Sequence, residues 1–447
     1  MCVSMHKKCV IIIIIIILVS STISASTNYV NNKNTLIKVS KNDLLEGAWL
    51  KVENGVKIIY IHGSNYQMGY QLGYLLKEPY MRDYRSYEYS CEHDMGINKS
   101  DLLDAWDKNK DFVPDEYKEE MQGRADALNL NFEEVAVIET LNQFLFAFRK
   151  ACSGFAAWGP ATKDGKLYHI RSHECSLKTP FDPETKIPCY ENEHLVIRNP
   201  DNGYASISPT TILDVGVEGG FNEKGICVGY KASPCDDNSM YGTPSTIRQL
   251  MVLDHASTLD EAVEIINSNT TIGLNYIISD SNIKKAVAVE QSANYSYVGT
   301  WDNPSESNSR YWSIDHVVRR GNCFIDPLVA STQKGFWYNL NSTISWLISP
   351  VFRQYCRLSR GIENSWGKLD LNTSMKVIRN SLKYRFDPIY LFKRIFMASG
   401  AWDQWVACPE TGEMVVAFAQ NGKSAYNSPI LYINLFEILA AEGDLYK

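Results

Sequence analysis

The hydrophobic rhythm of the chain changes near residue 151, and a single kind of layer cannot bury both halves. Before that point one strand-like run, 56–62, is followed by apolar residues at helical spacing over 65–76, 101–108, 114–128 and 132–148. Ser64 and Asn131 stand where helix caps belong, and Gly69 and Gly73 lie on one face of the first of these helices, open to close packing. After it, short strand-like runs dominate, at 154–159, 166–171, 194–198, 204–207 and 226–230. A helix pair is expected at 246–254 and 259–267, a hairpin at 275–279 and 285–291, helices at 349–363 and 373–382, and a last hairpin at 404–408 and 414–420. Strands in hairpins with helices between them predict sheets covered by helices.

The change of rhythm coincides with the most reactive-looking segment. Cys152 heads a run of small residues, Ser153-Gly154-Phe155-Ala156-Ala157, and a Lys163-Asp164-Gly165-Lys166 turn leads to a second strand ending in Arg171, His173 and Glu174. A hairpin there returns Arg171 to Cys152, and a cation beside a thiol favours the nucleophilic thiolate. No histidine is clearly placed as its base, and the papain-type flanking pattern is absent. If the Ala151–Cys152 bond is cut, however, Cys152 gains an α-amine with a pKa of about 7.7–8.0, able to act as base on its own thiol. His169, His173 and Cys175 match no standard zinc spacing, so no metal is expected.

The first residues set a compartment. Lys7 and Lys8 precede an apolar core from Val10 to Val19, and small polar residues follow, the pattern of a signal peptide over 1–25. With that segment removed the balance is 42 basic against 51 acidic residues, a net of −9 with no basic stripe, which argues against nucleic acid as a partner. No later stretch is long and apolar enough for a stable membrane span. Cys91, Cys152, Cys175, Cys189, Cys227, Cys235, Cys323, Cys356 and Cys408 then remain, an odd number that leaves at least one thiol free. Sequons at Asn98, Asn269, Asn294, Asn341 and Asn372 are compatible with a secreted or lysosome-like lumenal glycoprotein.

Together these segments resemble the cysteine branch of the N-terminal nucleophile hydrolases, nearest to the acyl-coenzyme A:6-aminopenicillanate acyltransferase-like family, with bile salt hydrolases, penicillin V acylases and acid ceramidase as more distant relatives. The resemblance is carried by residues 63–73, by 152–174, by the Gly-x-Asn-Glu-x-Gly turn at 220–225 and by 276–280 with 287–291. It implies an α+β fold, an αββα four-layer sandwich preceded by a helical prosegment. Residues 26–151 would be a propeptide or small subunit that stays associated after cleavage, and 152–447 the catalytic domain. It further implies a zymogen cut between Ala151 and Cys152, with Cys152 as nucleophile and Arg171 beside the thiolate. Glu174 would stand in the place of an aspartate that orients the α-amine, and Asn322 would donate to the oxyanion. Arg353 is the downstream arginine, Asn222 and Tyr230 are the substrate-side residues, and no cofactor is required. The implied chemistry is attack on a non-peptide amide through a thioester, with a small-molecule or lipid acyl-amide as substrate. A phospholipase B-like or ceramidase-like lipid hydrolase and an inactive lumenal binding protein are the alternatives. Read from the residues alone, Arg171 and Glu174 also fit a surface ion pair, and Asn222 a residue that shapes its turn.

Overall fold

A computed structural model describes residues 34–38, 43–141, 151–307, 310–335, 349–383 and 399–441. The signal-peptide segment and the 142–148 part of the expected helix lie outside these residues. The strands are β1 (Asn34–Lys38), β2 (Trp49–Glu53), β3 (Val56–Gly63), β4 (Ala151–Gly159), β5 (Gly165–Ser176), β6 (His194–Pro200), β7 (Ser206–Thr210) and β8 (Gly219–Asn222). They continue with β9 (Ile226–Ala232), β10 (Leu274–Asp280), β11 (Lys285–Gln291), β12 (Ser296–Gly299), β13 (Val317–Arg320), β14 (Ser399–Cys408), β15 (Glu413–Phe418) and β16 (Leu431–Asn434). Ten form one sheet in the order β1-β2-β3-β6-β7-β8-β9-β10-β11-β12, and six form a second, β13-β4-β5-β14-β15-β16. All pairings are antiparallel except β3 with β6.

Before β4 the chain forms helices α1 (Asn65–Leu75), α2 (Lys77–Tyr89), α3 (Lys99–Asn109), α4 (Asp115–Leu128) and α5 (Phe132–Leu141). Later come α6 (Ser245–His255), α7 (Leu259–Asn267), α8 (Pro350–Ser365) and α9 (Leu371–Leu382).

Three apolar cores fix the layer order, because each strand sends alternate side chains to opposite faces. Ile59, Ile61, Val228 and Tyr276 of the large sheet pack against Met68, Tyr80, Trp106, Tyr117 and Leu250 of the helices. On its other face, Ile58, Leu195, Ile197 and Phe221 meet Trp405, Met414, Val416 and Phe418 of the small sheet. The small sheet's outer face, with Phe155, Ile170 and Val406, is covered by Leu358 and Ile362 of α8 and Ile378 of α9. The result is helices, sheet, sheet, helices: the αββα sandwich expected. The described residues from Asn34 onward form one compact unit, so residue 151 is no break in the packing. The segment before Cys152 also holds β1, β2 and β3 as well as helices, and these extend the large sheet.

The glycines of α1 do what their spacing suggested. A Cβ on Gly69 would sit 2.0 Å from the Glu120 carbonyl oxygen, and one on Gly123 of α4 would sit 2.0 Å from that of Tyr66. Both obstacles are backbone, so neither can swing aside. Gly69→Ala should therefore force α1 and α4 apart and destabilise the protein by about 3 kcal/mol or more. A denaturant midpoint equal to that of wild type would contradict this contact.

Candidate active site

The β4–β5 hairpin builds the centre. Its register sets Ala151 opposite Glu174, Cys152 opposite His173 and Gly154 opposite Arg171. Small residues let β4 lie deep between its neighbours, and Cys152 is fully buried. Arg171 returns to it as expected, with Nη2 3.9 Å from Sγ. The same Nη2 donates to Glu218 Oε2 at 2.9 Å, Nε donates to the Tyr230 carbonyl at 3.2 Å, and Nη1 lies 3.8 Å from Asp403 Oδ1. Its guanidinium carbon is 5.3 Å from the centre of the Tyr230 ring. Burial works against the charge of Arg171, but Cys152, Glu218 and Asp403 outweigh it and hold the guanidinium protonated. Tyr230 is thus brought into the centre, where its hydroxyl donates to Glu218 Oε1 at 3.2 Å.

Asn322 follows β13 and grips the other side of Cys152. Its Oδ1 accepts the Cys152 backbone N–H at 2.9 Å, and its Nδ2 donates to the Ala232 carbonyl at 2.7 Å. Its amide oxygen thus holds the nitrogen of the Ala151–Cys152 bond. The loop is braced from behind: Asn275 Nδ2 donates to the carbonyls of Gly321 and Cys323, each at 2.9 Å, and Arg320 Nε pairs with Glu290 at 2.8 Å.

Glu174 is buried and is not the partner of Arg171, so the surface ion pair is excluded. Its Oε1 accepts from Ser153 Oγ at 2.7 Å and its Oε2 from Gln354 Nε2 at 2.6 Å. Burial raises its pKa, and the Gln354 and Ser153 hydrogen bonds oppose the rise. The contact from α8 thus comes through Gln354, the residue after Arg353. Asn222 lies at the β8–β9 turn with its amide committed there. Nδ2 donates to the carbonyls of Leu253 and Ala256, at 3.0 and 2.8 Å, while Oδ1 accepts from the N–H groups of Lys224 and Ile226. It shapes the turn, and these bonds leave its amide nothing to offer a substrate.

The histidines of β5 have fixed partners. His169 Nδ1 is 2.9 Å from Ser279 Oγ and its ring stacks on Trp405; burial first, then Lys231 and Arg171, push its pKa well down. His173 Nδ1 lies 3.2 Å from both Glu218 Oε2 and Asp403 Oδ2. Those three side chains offer a donor set that could hold a cation. Arg171 already sits on the same Glu218 oxygen, so the chain supplies its own cation there and the residues do not suit a metal ion. Glu218, Asp403, Gln354 and Lys231 were missed from the sequence. Lys231, a lone charge in the apolar strand Ile226-Cys227-Val228-Gly229-Tyr230-Lys231, carried a readable signal.

Comparison with known proteins supports the resemblance read from the motifs. Residues 181–322 match the family model described as acyl-coenzyme A:6-aminopenicillanic acid acyl-transferase. An uncharacterized protein of Archaeoglobus fulgidus is 26% identical over 368 residues, covering 73% of this chain and 58% of that protein. Protein dcd1A of Dictyostelium discoideum is 24% identical over 281 residues, covering 56% of this chain and 61% of that protein. The chain thus spans about three fifths of the length of these relatives. Among solved structures, conjugated bile acid hydrolase of Clostridium perfringens (C2A mutant) is similar at 17% identity and TM-score 0.39, over 64% of this chain and 93% of that one. Penicillin V acylase of Agrobacterium tumefaciens is similar at 14% identity and TM-score 0.38, over 64% of this chain and 87% of that one.

Proposed function

We propose that this protein is an autoprocessed, secreted or lumenal cysteine hydrolase or acyltransferase that acts on non-peptide amide bonds. The observation that carries the reading is the placement of Cys152. Its thiol meets a guanidinium fixed by buried carboxylates, while the nitrogen of the bond before it is held by Asn322. Cleavage of that bond would turn the held nitrogen into an α-amine next to the thiol, nucleophile and base in one residue. The thiolate would attack the substrate carbonyl and expel the amine, and water or a second amine would take the acyl group from the thioester. Arg171 stabilises the thiolate, Glu174 with Ser153 and Gln354 orients the new terminus, and Asn322 fixes the nitrogen. Arg353, on the same helix as Gln354, is proposed as the downstream catalytic arginine.

Intact-mass measurement of the purified protein tests the first step: two chains are expected, the heavier starting at Cys152. A panel of acyl-amides with aliphatic, bulky polar and long-chain lipid acyl groups tests the second. A single uncut chain with no turnover on any of them would leave the inactive binding protein as the reading.

A further inference from the structure

One buried cation near the thiol has no part in the chemistry above. Lys231 on β9 is fully buried, and its Nζ donates to the Gly229 carbonyl at 3.0 Å. Its side chain fills the notch that Gly154 leaves in β4: a Cβ there would lie 2.9 Å from Lys231 Cε and 3.1 Å from Nζ. Gly154 is two residues from Cys152 on the same face of the strand and is paired with Arg171, so the amine lies on the face that carries the thiol and the guanidinium. The charged and titratable groups around it are Cys152 from β4, Arg171 and His169 from β5, Cys227 from its own strand and Arg320 from β13.

The chemistry of the uncut chain leaves an opening for such a group. While Ala151 and Cys152 remain joined, the nitrogen of Cys152 is an amide and cannot accept the thiol proton. His169 is held at Nδ1 by Ser279 and burial makes its ring a poor base, His173 lies between Glu218 and Asp403, and Glu174 is engaged by Ser153 and Gln354. We propose that Lys231 is the proton carrier of the first, self-cleaving turnover, an inference that rests on reading Cys152 as a self-processing nucleophile. The neutral amine takes the proton from Cys152 Sγ. The sulfur bonds to the Ala151 carbonyl carbon, the carbon–nitrogen bond to Cys152 breaks, and the Lys231 ammonium returns the proton to the departing nitrogen. Water then hydrolyses the thioester, releasing the Ala151 carboxyl group and restoring the thiol. Burial, followed by repulsion from Arg171, lowers the Lys231 pKa to about 7 against the pull of Cys152 and Cys227, so the amine is available as a base from neutral pH upward.

Full-length chain made by cell-free synthesis, with cleavage timed by intact mass from pH 5 to 9, tests this. The wild-type rate should rise with pH through about 7 and then level off. Lys231→Met should slow cleavage by about 100-fold and flatten that profile. Lys231→Arg keeps the charge but cannot lose the proton, and should be equally slow. A purely structural lysine would instead show itself as a lowered melting temperature, whereas Lys231→Met, which removes a buried amine, should melt no lower than wild type. If the Met variant does not fold, Lys231→Gln decides in the same assay. Cleavage of the substituted chain at the wild-type rate with the wild-type pH profile would overturn the proposal. A wild-type chain that stays uncut at every pH would instead overturn the self-processing reading beneath it.

Discussion

A Cys152→Ala variant is expected to stay a single chain and to lose at least about 10³-fold of the amide-cleaving rate. Both losses follow from one atom, because the same sulfur is proposed to open the bond before it and later the substrate. The fold should survive. Arg171 keeps its bond to Glu218 and its contact with the Tyr230 carbonyl, and Asn322 still receives the backbone N–H of residue 152. Removing a buried sulfur leaves a small cavity that costs about 1 kcal/mol. Cys152→Ser separates the two functions of the atom, since a hydroxyl has a far less accessible anion than a thiol. It should cut itself slowly and turn over substrate more slowly still. Intact mass and an acyl-amide assay read both variants. An alanine variant that is cut on schedule would place the scissor outside this residue.

The second large effect is on stability. Arg171→Met removes the cation from a fully buried pocket in which Glu218 and Asp403 both lie against His173. Breaking a buried charge network from one side costs about 3–5 kcal/mol, and the denaturant midpoint should fall with an unchanged slope. Adding Glu218→Gln should recover part of the loss. Equal midpoints for Arg171→Met and wild type at pH 7 would mean that the network does not hold the sheets together.

What could be read from the sequence was local. The β4–β5 hairpin, the cap of α1 by Ser64 and the capping box of α7 at Thr258 and Glu261 each depend on a few neighbouring residues. Even the pairing of Arg171 with Cys152 needed only a turn between two strands. Helix α2 was overlooked because Pro79 and a crowd of charges hide its pattern. Yet Tyr80, Tyr84 and Tyr87 recur at helical spacing on its buried side, and proline is tolerated in a first turn. The rest of the centre, the lone charge of Lys231 aside, was out of reach for a physical reason. Glu218 arrives just before β8, Lys231 from β9, Asp403 from β14 and Gln354 from α8, and nothing local to any of them reveals the others. The layers themselves bring them together. Asn222 shows the converse: its motif was legible, but its hydrogen bonds serve the turn that carries it.

The parallel pairing of β3 with β6 joins the segment before residue 151 to the sheet made after it, and both share one apolar core with α1 to α5. If the proposed cut is made, that core comes to belong to two molecules. Folding, unimolecular before the cut, would become a bimolecular reassembly afterwards. The melting point of the processed protein should then rise with its concentration, and dilution after unfolding should trap unmatched halves. Self-cleavage would thus act as a ratchet: the chain folds once while it is continuous and is thereafter held in that state by kinetics.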